Sequence, residues 1–177
     1  RAVTAVTGSA ATARLTSLDM EARYWAFRKV QSYEAWQVHG AWISAADRQL
    51  GPGVKERFEF GSTISAADYG TESKNRVALT EECANLLAQD GLILLPTVPG
   101  AAPLAAGSFE EIQDYRERAL RLLNLSGLIG FPQLTLPLAS VHGAPFGLSL
   151  LGPPGSDQAL LNLGRSILQS TRTSGQD

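Results

Sequence analysis

Three short stretches of this chain can be β-strands, and the first of them constrains the rest. Leu92–Leu95 is an unbroken apolar run, the pattern of a strand covered on both faces. Before it, Val77, Thr80, Cys83, Ala84 and Leu87 form one stripe of a long helix. Ser65 with Asp68 three residues on is a capping-box-like start for that helix, and Gly91 is the expected stop. After the strand, Pro96–Pro103 contains three prolines, which remove backbone donors and fix φ, so this segment is a stiff loop. Helix, buried strand, then loop at the strand's C-terminal end is an α/β pattern, and ligands of open α/β sheets usually bind at that end.

The remaining elements supply many helices and few strands. Thr16 or Ser17 is expected to cap a helix with Met20, Tyr24, Phe27 and Val30 on one face. A second helical stretch is expected over Tyr33–Ala46, holding Trp36 and Trp42, and Gly-Pro-Gly makes a turn of Leu50–Val54. Ser108 and Glu111 form a capping box opening a helix with Ile112, Tyr115, Ala119 and Leu123 on one side. Leu134, Leu136 and Leu138 alternate with Gln133 and Thr135 as in a half-buried strand. Val141–Ala144 is a turn, and Pro145–Leu151 is its antiparallel partner. Gly152–Gly155 breaks the chain, and Ser156 caps a last helix with Leu160, Leu161, Gly164, Ile167 and Leu168 facing inward. Residues 1–16 are small and polar and are expected to be a lead-in or linker. Residues 17–170 carry the folded part, and 171–177 form a frayed polar tail. Three strands cannot close a core with this many amphipathic helices, so a larger sheet with strands supplied elsewhere is expected.

Charge and cysteine content narrow the function classes. Fifteen basic and seventeen acidic residues leave a net charge of −2, without the basic patch that nucleic acid or an anionic membrane would require. The single cysteine, Cys83, excludes an internal disulfide and multi-cysteine metal sites. No apolar run approaches the ~20 residues of a membrane-spanning helix, and no signal-peptide pattern is present. The first residue is Arg1 rather than Met, which makes a processed or trimmed segment the expectation. A cytoplasmic location is compatible with all of this.

The chain's own reactive residues do not assemble into a catalytic pattern. His39 lies between Trp36 and Trp42 on a helix, His142 lies in a hairpin turn, and neither has metal-ligand spacing to another donor. Cys83 falls on an apolar helix face, where cysteine is usually inert packing. Ser149 in Gly-Leu-Ser-Leu-Leu lacks the glycine that a nucleophile elbow needs two residues on. Gly-Pro-Pro-Gly-Ser-Asp before the last helix resembles a phosphate loop but has no lysine, and its prolines remove amide donors. Glu81, Glu82, Glu110 and Glu111 read as solvated charges on polar helix faces, Glu111 also serving the capping box.

Four stretches, in order, resemble the C-terminal half of amidase-signature enzymes: Tyr33–Ile43 with Gly51–Phe58, Gly91–Pro103, Ser126–Ala139 and Gly143–Leu161. The Gly-Phe-Pro-Gln wording and the Tyr-Glu-x-Trp helix lean towards the indole-acetamide-hydrolase-like branch. The resemblance implies an α/β fold, part of a mixed-sheet amidase-signature domain with flanking helices. It implies hydrolysis of carboxamide C–N bonds by a Ser–cis-Ser–Lys triad, with backbone amides stabilising the oxyanion. Those parts belong to a Gly-Gly-Ser-Ser-rich signature and an earlier lysine, which this sequence does not contain. No catalytic residue carries over; Lys29, Lys55 and Lys74 match positions after the signature.

By the same resemblance, Thr97, Pro99, Leu123, Gly127, Gly130 and Phe131 border the substrate cavity; the alternative is that Pro96–Pro99 and Gly130–Pro132 are rigid connections. Leu120, Leu122, Leu123 and Leu125 in the preceding helix favour an apolar or aromatic amide over glutamine. The implied partners are the N-terminal part of the same amidase and a small-molecule amide, with a homodimer compatible. Nucleic acid, membrane, metal and organic cofactor are not expected. Two competing readings remain: a catalytically inactive binding or scaffold module of the same fold, and an independent small domain of unrelated function.

Overall fold

The computed structural model describes residues 2–8, 10–51 and 53–173. Its elements in order are α1 (Ala2–Thr7), α2 (Met20–Ser44), α3 (Lys55–Thr63), α4 (Ala66–Leu87), β1 (Ile93–Pro96), α5 (Phe109–Ile129), β2 (Gln133–Val141), β3 (Ala144–Leu151) and α6 (Asp157–Thr173). The strands form an antiparallel sheet in the order β1-β3-β2. Helices pack on both of its faces, a mixed α/β architecture as expected.

The two faces of β3 build two cores. Leu151 joins Ala26, Leu79, Cys83, Leu87, Leu125, Leu128, Ile129 and Phe131 beneath α2, α4 and α5. Leu150, one residue away and therefore on the opposite face, joins Leu136, Leu160, Ile167 and Val3 beneath α6 and α1. Leu94 of β1 remains 44% exposed, so among the described residues β1 is well covered on one face only and not on both.

The hairpin closes through His142 and Gly143, at φ of 50° and 78°, the left-handed pair that a tight two-residue turn requires. Pairing is continuous from Val141↔Ala144 to Ala139↔Phe146, then shifts, and resumes at Leu136↔Leu148. One extra residue in β2 is thus absorbed by a bulge at Pro137–Leu138. Proline is tolerated there because an edge strand's bulge asks for no ladder donor.

Several helices differ from expectation. The stretches around Met20–Val30 and Tyr33–Ala46 are one helix, α2, since Gln31 and Ser32 between them are compatible with helix. Its cap is Asp19, whose carboxylate accepts the Ala22 N–H at 2.8 Å. Thr16 and Ser17 bind elsewhere: their backbone N–H groups and hydroxyls all donate to Glu82. Glu82 is therefore no ordinary solvated charge but a clasp that fixes the lead-in to α4. Leu15 and Leu18 beside the clasp pack against the first core. The lead-in also contains α1, whose Val3 is buried in the second core; residues 1 and 9 lie outside the described residues.

Helix α3 follows the expected turn, of which Pro52 lies outside the described residues. A Cβ on Gly61 would sit 2.3 Å from the Ser32 carbonyl oxygen, so glycine permits the close approach of α3 to α2. Helix α4 starts as expected, with the Ser65 hydroxyl accepting the Asp68 N–H at 3.0 Å. It stops at Ala88, at φ 48°, before Gly91, and Val77 of its expected stripe is 55% exposed while Leu79 is buried. The Ser108–Glu111 capping box of α5 is formed in both directions. Ser156 precedes α6 and its carbonyl takes the Leu160 N–H at 2.8 Å, whereas its buried hydroxyl has no partner. Leu161, expected to face inward, is 46% exposed. Residues 171–173, expected to fray, complete α6, and 174–177 lie outside the described residues.

Candidate functional site

Packing of α2, α3 and α5 leaves a cavity of about 520 Å³ between them, within the usual range for small-molecule sites. Its hydrocarbon wall comes from Val54 and Phe58 at α3 and from Leu120 and Leu123 on α5. Its charge comes from one arginine per helix: Arg28, Arg57 and Arg116. Tyr115 also lines it, and its hydroxyl donates to the Gly100 carbonyl at 3.1 Å, which ties α5 to the proline-rich loop after β1.

The three cations are unequally matched. Arg28 Nη1 lies 3.7 Å from Glu117 Oε1, and its buried Nε has no hydrogen-bond partner. Glu117 is already engaged, accepting the Tyr24 hydroxyl and lying 3.9 Å from Arg121. Arg121 in turn is satisfied by Glu21 at 2.9 and 3.1 Å. Burial, then the charges of Arg116 and Arg28, push the Arg57 pKa below its ordinary value, with Glu117 opposing. A guanidinium does not lose its proton in a protein, so that direction marks a positive charge held in an unfavourable place.

The six expected pocket residues do not share one site. Leu123 lines this cavity. Gly127 and Gly130 border a shallower groove beside Arg76 and Thr80 of α4. Gly127 lies against Phe27, where a Cβ would come within 2.9 Å, and Gly130 is the left-handed cap of α5 at φ 75°. Phe131 is 5% exposed in the first core. Pro99 is half-buried in the bend after β1. Thr97 continues the sheet: its N–H donates to the Gly147 carbonyl at 3.1 Å, and its hydroxyl is 2.8 Å from Ser149 Oγ.

Ser149 is fully buried and its Oγ is also 3.0 Å from Thr135 Oγ1. Its hydroxyl is thus held in a row of alcohols, one from each strand or its end, with no base in the row. Cys83 is buried as expected, and burial, then the Glu82 charge, push its thiol up to about 11. His39 stands edge-on to Phe58 and is exposed, as is His142. Lys29 pairs with Glu72 at 2.8 Å, and Lys55 lies 3.7 Å from Glu59. Among the described residues no group of three His, Cys, Asp or Glu could hold a metal ion, and no helix is long and apolar enough to cross a membrane. The arginine cluster was not foreseen from sequence. Its signal would have been a helical reading of Lys55–Thr63, which places Arg57 one turn from the Gly61 contact.

The layered arrangement is that of an amidase: a crystal structure of an amidase superposes with a TM-score of 0.70 at 27% identity, covering 86% of this chain and 36% of that one. The amidase family model matches residues 4–161, and the chain belongs to that family. It is 34% identical over 140 residues to Amidase 1 of Arabidopsis thaliana, spanning 79% of this chain and 33% of that protein. It is also 30% identical over 139 residues to Translocon at the outer membrane of chloroplasts 64 of Pisum sativum, spanning 76% of this chain and 23% of that protein. The chain therefore spans a third or less of the length of these curated relatives.

Proposed function

We propose that this chain acts as the C-terminal segment of an amidase that hydrolyses carboxamide C–N bonds, with the Ser–cis-Ser–Lys triad supplied upstream. It contributes three strands and one wall of the substrate pocket. The observation that carries the reading is the family match over residues 4–161, in a chain whose candidate nucleophiles are spent on packing. Ser149 is shared between Thr97 and Thr135, and Cys83 is buried with a raised pKa. Thr97, Pro99, Leu123, Gly127, Gly130 and Phe131 are the proposed wall residues. The Tyr115–Gly100 hydrogen bond supports treating the loop after β1 and α5 as one rigid unit of that wall.

The leucines of α5 support an apolar or aromatic amide as substrate, consistent with the indole-acetamide-hydrolase-like branch. The test is turnover by the chain joined to the signature region of its gene. An aryl-acetamide should be hydrolysed in preference to glutamine, and the 177-residue chain by itself should be inactive. Equal turnover of the two amides would sink the substrate class. The likeness to the chloroplast translocon protein favours one second reading, a binding or scaffold module without catalysis. Absence of turnover with a folded, complete protein would support it.

A further inference from the structure

We propose that the cavity between α2, α3 and α5 binds a small apolar carboxylate, with the acid group on Arg57, Arg28 and Arg116 and the hydrocarbon against Phe58, Leu120 and Leu123. Among the described residues, three arginines and no acidic residue line it, and the carboxylate that acts on Arg28 and Arg57, Glu117, is already shared by Tyr24, Arg28 and Arg121. The cavity thus holds more positive than negative charge. Arg57 has its pKa lowered by burial and by its cationic neighbours, Arg116 and Arg28, and all three belong to the lining of this cavity. A bond from guanidinium to carboxylate is among the stronger ones available.

The rest of the lining decides what carries the acid. Apolar surface exceeds polar in this cleft, and its volume of about 520 Å³ exceeds what inorganic anions need. An aromatic or branched aliphatic acid fills both parts. The inference stands apart from the amidase reading, because it needs only the cavity. If that reading holds, the acid released from an apolar amide belongs to the same chemical class.

The experiment is calorimetric titration of the full chain with 3-phenylpropionate, its neutral amide 3-phenylpropionamide, and acetate. The acid should bind saturably, and the amide and acetate should bind roughly tenfold or more weakly, the share carried by the charge and by the ring respectively. Arg57→Met should weaken the acid by about the same factor without changing the amide, and Arg57→Lys should recover part of the loss. Leu123→Trp, which fills the space, should abolish binding of both, with a circular dichroism spectrum confirming that each variant is folded. Equal binding of acid and amide overturns the proposal. So does the absence of saturable acid binding by the folded parent chain. A lowered melting temperature for Arg57→Met in that second case would mean that a carboxylate of the polypeptide itself occupies the site.

Discussion

The two faces of β3 are finished by different means. Towards α2, α4 and α5 the strand presents Leu151 and then Ser149, so an apolar core gives way along the sheet to a row of three hydroxyls. Towards α6 it presents Leu150, among leucines and Ile167, without a polar row. The first face is roofed by three long helices held to one another by Lys29–Glu72, Arg76–Glu34 and Arg28–Glu117. The second is roofed by α6 and the short α1. A rigid roof leaves less freedom to close around a defect, and the polar row makes alignment of the strands specific where packing alone would tolerate a slip.

That contrast can be broken most directly at the two leucines. Leu151→Ala and Leu150→Ala each delete a buried side chain and should cost about 2–5 kcal/mol. The first should fall nearer the upper end, because α2, α4 and α5 cannot collapse onto the void. Urea unfolding of the two variants checks it, and equal losses would remove the distinction between the roofs. A smaller effect is expected from Ser149→Ala, about 1 kcal/mol, since Thr97 and Thr135 are partly open and turn to water. A loss as large as that of Leu151→Ala would mean that the hydroxyl row, not the core, holds this end of the sheet.

The remaining two predictions sharpen the comparison from the first face alone. Cys83 sits within that core with its thiol raised to about 11, so iodoacetamide at pH 8 should modify it only as fast as the face opens. Rapid labelling without denaturant would show that the roof is loose. The smallest effect concerns Glu82, whose carboxyl is lowered from 4.5 to about 2, chiefly by the Ser17 hydroxyl and further by Thr16 and the backbone amides. A lowered native pKa contributes stability that is complete above pH 4.5 and is lost as pH falls through about 2. Protection of the amides of residues 15–18, taken against their intrinsic exchange rates at each pH, should therefore fall as pH drops across that window, and Glu82→Gln should show the low protection at neutral pH. Unchanged exchange in the variant would detach the clasp from the first core.

Local signals made part of this fold legible. The Ser108–Glu111 box, the Ser65 cap and the His142–Gly143 turn each lie within four residues, and each forms. Where the decisive partner is remote, sequence failed: Thr16 and Ser17 look like helix caps until Glu82, over sixty residues away, takes their hydrogens. The single α2 was obscured because its apolar residues are not confined to one face, with Val38 72% exposed and Trp42 55%. For the candidate site, Leu123 was legible from the family-like stretch, but Arg28, Arg57 and Arg116 come from three helices. Their convergence depends on the Gly61–Ser32 approach, which no periodicity reports.

The bulge at Pro137–Leu138 acts as a phase slip of half a pleat. Alternation in β2 is reset there, so the sheet-proximal half of the hairpin and its tip obey opposite inside-outside rules relative to β3. Carrying the tip's register, from Ala139↔Phe146, straight through the bulge with no residue removed would set Thr135 across from Leu150. Its wet side and dry side would then trade places along that half of β2, with every residue type unchanged. Lengthening or shortening the tip beyond the slip leaves the hydroxyl row undisturbed, which makes that tip the part of the hairpin most open to variation in length.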